Sequence, residues 1–198
     1  MNIYMGGTML FIFDFDGTLI DLDIDWGRVQ EEVLEYAEKA GADPGDTSKH
    51  LVTIANKVSD TPERKEAVNA IFRRHEQECV DKGAYKIFPG VKETLEKLRE
   101  MGHKTAIASN NTEETLRQVS QKENLAVDAV RGRDSQFLPK PYPDMLLSLM
   151  EEFGEARETT FFTGDNFWDT ESGKAAGIRT FLIKPGTLNI SLFHGINL

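Results

Sequence analysis

The chain has 198 residues, 39% of them hydrophobic and 28% charged, with 12 Phe and 2 Trp; this suits one core domain with a modest insertion and excludes general disorder. Its 33 acidic and 23 basic side chains leave a formal charge of −10, which argues against a broad nucleic-acid or anionic-membrane surface but not against an anionic substrate held by a local cation. The single cysteine, Cys79, closes no internal disulfide, the apolar run Met9–Phe13 is too short for a secretory signal, and no stretch approaches a membrane span, so a cytoplasmic protein is expected.

In chain order, Leu10–Phe13 predicts a short buried strand that runs straight into Asp14. The stretch Leu19–Asp25 carries alternating acids at Asp21, Asp23 and Asp25, as a charged hinge would. Trp26–Ala40, Thr47–Val58 and Pro62–Lys82 then read as helices with no strand between them. Asp25 suits the cap of the first, and Thr61-Pro62 the start of the third. From Pro89 the texture changes to alternating helices and strands. Val91, Thr94, Leu95 and Leu98 recur at helical spacing before Gly102, and Thr105–Ala108 predicts a strand. Thr112 can cap a helix through about Glu123, followed by a weaker strand at Ala126–Val130. Asp144–Phe153 predicts a helix, Thr159–Thr163 a strand, Asp169–Ala176 a helix stopped by Gly177, and Thr180–Ile183 a last strand. The tail from Gly186, with Leu192, Phe193 and Ile196, is apolar enough to dock on its own core or on a second copy, which leaves a monomer or homodimer.

The alternation predicts an α/β fold: a doubly wound, Rossmann-like parallel sheet spanning residues 1–19 and 86–198. Residues 20–85 are expected to form a small all-helical cap inserted after the first strand. The alternative is that these helices pack directly on the sheet.

Three strand ends carry polar residues, and ligands of open α/β sheets bind outside the carboxyl ends of the strands. The first is Phe13-Asp14-Phe15-Asp16-Gly17-Thr18; taken alone, Asp-x-Asp-Gly is common in turns and calcium loops. The second is Ala108-Ser109-Asn110, where a hydroxyl and backbone amides become available. Lys140-Pro141 follows, and the third end is Thr163-Gly164-Asp165-Asn166, with Asp169 four residues after Asp165. Individually, Ser109 suits a turn or cap and Lys140 a solvated surface.

In order and spacing, these residues resemble the four motifs of the haloacid dehalogenase-like superfamily. The position of the helical insertion resembles the subgroup typified by phosphoglycolate phosphatase and β-phosphoglucomutase. The resemblance implies that Asp14 is a nucleophile forming an aspartyl-phosphate, and that Asp16 is a general acid and base. Ser109, Asn110 and Lys140 would hold phosphate oxygens. It implies Mg²⁺ as cofactor, at Asp14, Asp165 and the backbone carbonyl of Asp16, with Asp169 a nearby orienting acid. Physical chemistry agrees, because two unit like charges 4 Å apart repel by roughly 4 kcal/mol at an effective dielectric of 20, so a carboxylate meets phosphate only with a cation between them. Hard oxygen ligands favour Mg²⁺.

The acid at Asp16 sets the chain apart from the dehalogenase and phosphonatase branches, which by resemblance lack it. The expected substrate is a small phosphorylated metabolite, phosphoglycolate first by resemblance. A phosphomutase with the same Asp14 and Asp16, or a binding module that has kept the fold, are the alternatives. Trp26, Arg28, Lys57 and Arg64 are candidate contacts to a leaving group, though each also suits a core anchor or a solvated helix face. The acids at Asp21 and Asp23 would disfavour strongly anionic leaving groups.

Overall fold

The computed structural model describes residues 7–196. Strand β1 (Leu10–Phe13) lies at the centre of a five-stranded sheet, between β4 (Lys104–Ala108) and β6 (Thr160–Gly164). The outer strands are β5 (Ala129–Arg131) beside β4 and β7 (Arg179–Leu182) beside β6, and all the pairings are parallel. The strand order β5-β4-β1-β6-β7 is a doubly wound α/β sheet, as the alternating pattern predicts.

The sheet holds because β1 is apolar on both faces. Phe11 and Phe13 point into one layer, shared with α4 (Val91–Glu100) and α5 (Glu113–Lys122) through Leu95, Leu98, Leu116 and Val119. Leu10 and Ile12 point into the other, against Met145, Leu146 and Leu149 of α6 (Asp144–Phe153) and Ala176 of α7 (Phe167–Ala176). The tail packs on the same core: buried Phe193 meets Phe11 edge-on at 4.9 Å and Phe181 at 5.5 Å.

Residues 20–85 contain α1 (Trp26–Lys39), α2 (Leu51–Val58) and α3 (Pro62–Lys82). Val29, Val33, Ile54, Val58, Val68 and Phe72 form a hydrophobic cluster of their own. The last turns of α3 leave that cluster and place Cys79 and Val80 in the sheet-side core, so one 21-residue helix spans both layers. At roughly 1.5 Å per residue, it is about 30 Å long, which suffices.

Several element bounds differ from the sequence pattern, each for a local reason. Two three-residue strands, β2 (Ile20–Leu22) and β3 (Tyr85–Ile87), pair antiparallel where the insertion leaves and rejoins the sheet. Helix α2 starts at Leu51 instead of Thr47, because Asp46 turns the chain onto Ser48 and His50 then caps the helix through its ring nitrogen. Strand β5 lies three residues later than Ala126, since Leu125 and Ala126 are consumed in packing and Thr105 N bonds the Asp128 carboxylate. Helix α7 begins at Phe167, not Asp169. Asn166 is its cap, and Asp169 sits at the third helical position, completing a reciprocal capping box.

Candidate active site

Strand β1 carries Asp14 out of the sheet, and its backbone is pinned by Asp14 N donating to Thr163 O at 2.8 Å. The chain then turns through Gly17, whose φ of +86° suits glycine. A Cβ there would lie 2.5 Å from the Asp165 carboxylate, so the glycine is what allows the β1 and β6 strand ends to approach. Asp16 turns its Oδ1 to the backbone N of Leu22 at 2.9 Å, which fixes it to the start of the insertion. Burial pushes the Asp16 carboxyl up to about 7; the Leu22 amide opposes this, and neighbouring Asp14, Asp165 and Asp21 add to it.

Lys140 is fully buried and bridges two acids. Its Nζ lies 2.5 Å from Asp169 Oδ1 and 2.7 Å from Asp14 Oδ1. Burial alone would lower the Lys140 pKa, but Asp14 and Asp169 outweigh it and hold the ammonium above its ordinary value. The Asp169 contact has hydrogen-bond geometry and the Asp14 contact does not, so Asp14 Oδ1 is buried with an ion-pair partner but no hydrogen bond. The loop is braced by Asn110, whose side-chain amide donates to Lys140 O at 3.2 Å.

Asp169 is inaccessible to solvent, and its oxygens are already used. Oδ1 takes Lys140, and Oδ2 accepts from the backbone N of Asp165 and of Asn166, each at 3.1 Å. Burial and the charge of Asp14 push its carboxyl up to about 7 against the pull of Lys140. Asp165 is raised by the same two causes, burial first.

Asp14, Asp165 and Asp169 each offer one carboxylate oxygen, and these lie within 4.8 Å of one another. Three carboxylates with one ammonium leave uncompensated negative charge in a partly buried space. The donors are all hard oxygens, and Asp14 has an incompletely partnered one. The residues therefore fit a small divalent cation. Asp14 and Asp165 have the oxygens to spare, and Asp169 is committed to orienting its neighbours. The Asp16 carboxylate stands outside this cluster.

A cavity of about 1010 Å³ opens over these groups, and Asp14, Asp16, Ser109, Asn110, Lys140 and Asp165 all line it. Every site residue read from the sequence is brought to this one place, with Asp169 beneath the wall. Of the candidate leaving-group contacts, Trp26 lines the cavity. Arg28, Lys57 and Arg64 do not; they pair on the helical surface with Glu32, Asp43 and Asp60.

One group of residues braced behind the site was not legible in the sequence. Ser109 Oγ donates to Asn111 Oδ1 at 2.9 Å, and Asn111 Nδ2 donates to buried Glu76 of α3 at 3.1 Å. Buried Arg133 donates its Nε to Asn69 Oδ1 at 2.9 Å and stacks over Phe72 at 3.8 Å. The available signal was an acid inside an apolar stripe, since Glu76 lies four residues from both Phe72 and Val80.

A family model described as haloacid dehalogenase-like hydrolase matches residues 11–183. The chain is 32% identical over 189 residues to a phosphoglycolate phosphatase of Aquifex aeolicus, covering 92% of this chain and 87% of that one. It is also 32% identical over 177 residues to pyrophosphatase PpaX of Halalkalibacterium halodurans, covering 87% and 81%. Among solved structures it superposes on CbbY from Rhodobacter sphaeroides in complex with phosphate, with a TM-score of 0.64 at 18% identity over 90% of this chain and 87% of that one. A hydrolase from Pseudomonas syringae gives a TM-score of 0.61 at 22% identity over 93% and 88%.

Proposed function

The chain belongs to the haloacid dehalogenase-like hydrolases, and from that premise we propose that it is a Mg²⁺-dependent phosphatase of small phosphate monoesters, working through a phosphorylated Asp14. The observation that carries this reading is Lys140, buried between Asp14 and Asp169, on the same cavity wall as Asp16. A lysine in that position aims a positive charge at the space where a phosphoryl oxygen would sit.

Asp14 attacks phosphorus, forming the Asp14 Oδ–P bond as the ester P–O bond breaks. Asp16 gives its proton to the departing alkoxide. Water then attacks the aspartyl-phosphate while Asp16 takes a proton back, which frees Asp14 and releases inorganic phosphate. Mg²⁺, held by Asp14, Asp165 and the Asp16 carbonyl, would offset the repulsion between carboxylate and phosphate. Ser109, Asn110 and Lys140 hold the remaining phosphate oxygens. Residues 20–85 serve as a cap that keeps bulk water from the first step. No helix among the described residues is long and apolar enough to cross a membrane, and the lone buried thiol of Cys79 suits a reducing, cytoplasmic compartment.

Phosphoglycolate, named in relatives such as that of Aquifex aeolicus, and pyrophosphate are the first substrates to assay. Chelator-sensitive phosphate release that Asp14→Asn abolishes supports the reading. A folded, Mg²⁺-loaded protein that releases phosphate from no ester contradicts it.

A further inference from the structure

The cavity changes character along its length. Over the strand ends it is lined by carboxylates and Lys140. Towards the helical layer the wall is Trp26, Leu51, Phe72, Phe88, Phe167 and Trp168. Phe167, two residues after Asp165, leaves 64% of its surface exposed, which the packing of α7 does not require. Its ring meets Trp168 edge-on at 5.4 Å, and Trp168 meets the His50 ring at 5.7 Å. An aromatic shelf therefore runs from the sheet-side helix α7 across to the cap residue of α2.

This shelf offers a second anionic group no counter-charge. Lys140 is the one cation among the described lining residues, and it is already shared by Asp14 and Asp169. His50 Nδ1 is already engaged, accepting from Val52 N at 3.2 Å as the cap of α2. Arg133 is nearby but lies behind Phe72, stacked on its ring and donating to Asn69. The wall instead adds Asp21, whose own cation, Lys86 at 2.8 Å, is not a lining residue.

We propose that the leaving group of the substrate is an uncharged alcohol with an aromatic or bulky apolar body, seated on the Phe167–Trp168–His50 shelf, and that esters bearing a second anion on the leaving group are poor ligands. This rests on the phosphatase reading of the same cavity and narrows it. An apolar body gains by leaving water for the aromatic wall. A carboxylate would be stripped of water beside Asp16 and Asp21 with no partner.

The test pairs benzyl phosphate with phosphoglycolate, both esters of primary alcohols, so the bond broken is chemically alike. Binding of the non-hydrolysable benzylphosphonate and phosphonoacetate to the Mg²⁺-loaded protein is measured in parallel by calorimetry. The expected result is about a tenfold or greater preference for the benzyl compound in kcat/KM and in affinity. Both ratios should fall about fivefold in Phe167→Ala, whose exposed ring is dispensable to the core, and in Trp168→Ala. Equal or reversed preference, or ratios unchanged in both variants, overturns the proposal. Preferential binding of benzylphosphonate without hydrolysis of any ester supports the shelf and contradicts the phosphatase reading instead.

Discussion

The carboxylate of Glu76, in the second half of α3, accepts hydrogen bonds from the backbone N of Thr112 at 2.9 Å and from its hydroxyl at 2.5 Å. Thr112 is the cap residue of α5, yet its side chain makes no capping bond; its hydroxyl is turned instead to Glu76 and to the Thr115 hydroxyl. The helical layer is thus tied to the loop that carries Ser109 and Asn110. Glu76→Gln places an amide NH₂ among donors, and we expect a loss of about 1–3 kcal/mol of stability together with a raised KM. Denaturant midpoints and steady-state kinetics check this; an unchanged midpoint would contradict it.

Lys140→Met keeps the side-chain volume and removes the charge between Asp14 and Asp169. Two buried carboxylates then face each other unpaired, at an expected cost of about 3–5 kcal/mol near neutral pH. Phosphate release should fall roughly 10²–10³-fold. Stability equal to that of the parent would show that the ion pairs matter little.

The framework of this site was legible in the sequence, because its residues sit at strand ends, where a run such as Phe11-Ile12-Phe13 fixes the position of the next side chain. Lys140 was legible only by its place in the motif order, since nothing local shows that a lysine before a proline will be buried. Strands β2 and β3 were not legible, as three residues each give too short an alternation to read. The Glu76 contacts escaped for a different reason. They join residues 35 and 36 apart in the chain, and only the packing of α3 on α5 creates them.

Gly17→Ala introduces a Cβ 2.5 Å from the Asp165 carboxylate at a backbone φ of +86°. Asp165 must move, so Mg²⁺ affinity should fall by about tenfold or more while the sheet remains intact. Calorimetric titration of Mg²⁺ measures it, and parental affinity would mean that Asp165 is not a ligand.

His103 is buried against Phe11 with neither ring nitrogen hydrogen-bonded. Burial lowers its pKa from the ordinary 6.5, with Glu155 opposing weakly. A depressed folded-state pKa gives a stabilisation that is complete above the unfolded value and lost as pH falls through the folded one. Wild-type stability should therefore decline below pH 6.5 more steeply than that of His103→Phe. Parallel profiles in urea titrations between neutral pH and about pH 5 would contradict the assignment.

The central claim is that Asp14 carries the phosphoryl group. Its most direct test is intact-protein mass spectrometry after rapid acid quench of the Mg²⁺-loaded enzyme turning over a phosphate monoester, with peptide mapping. We expect the mass of one phosphoryl group on the peptide containing Asp14, absent with chelator and absent in Asp14→Asn. Hydrolysis that proceeds in Asp14→Asn, or a phosphoryl group found on a different residue, would contradict the account.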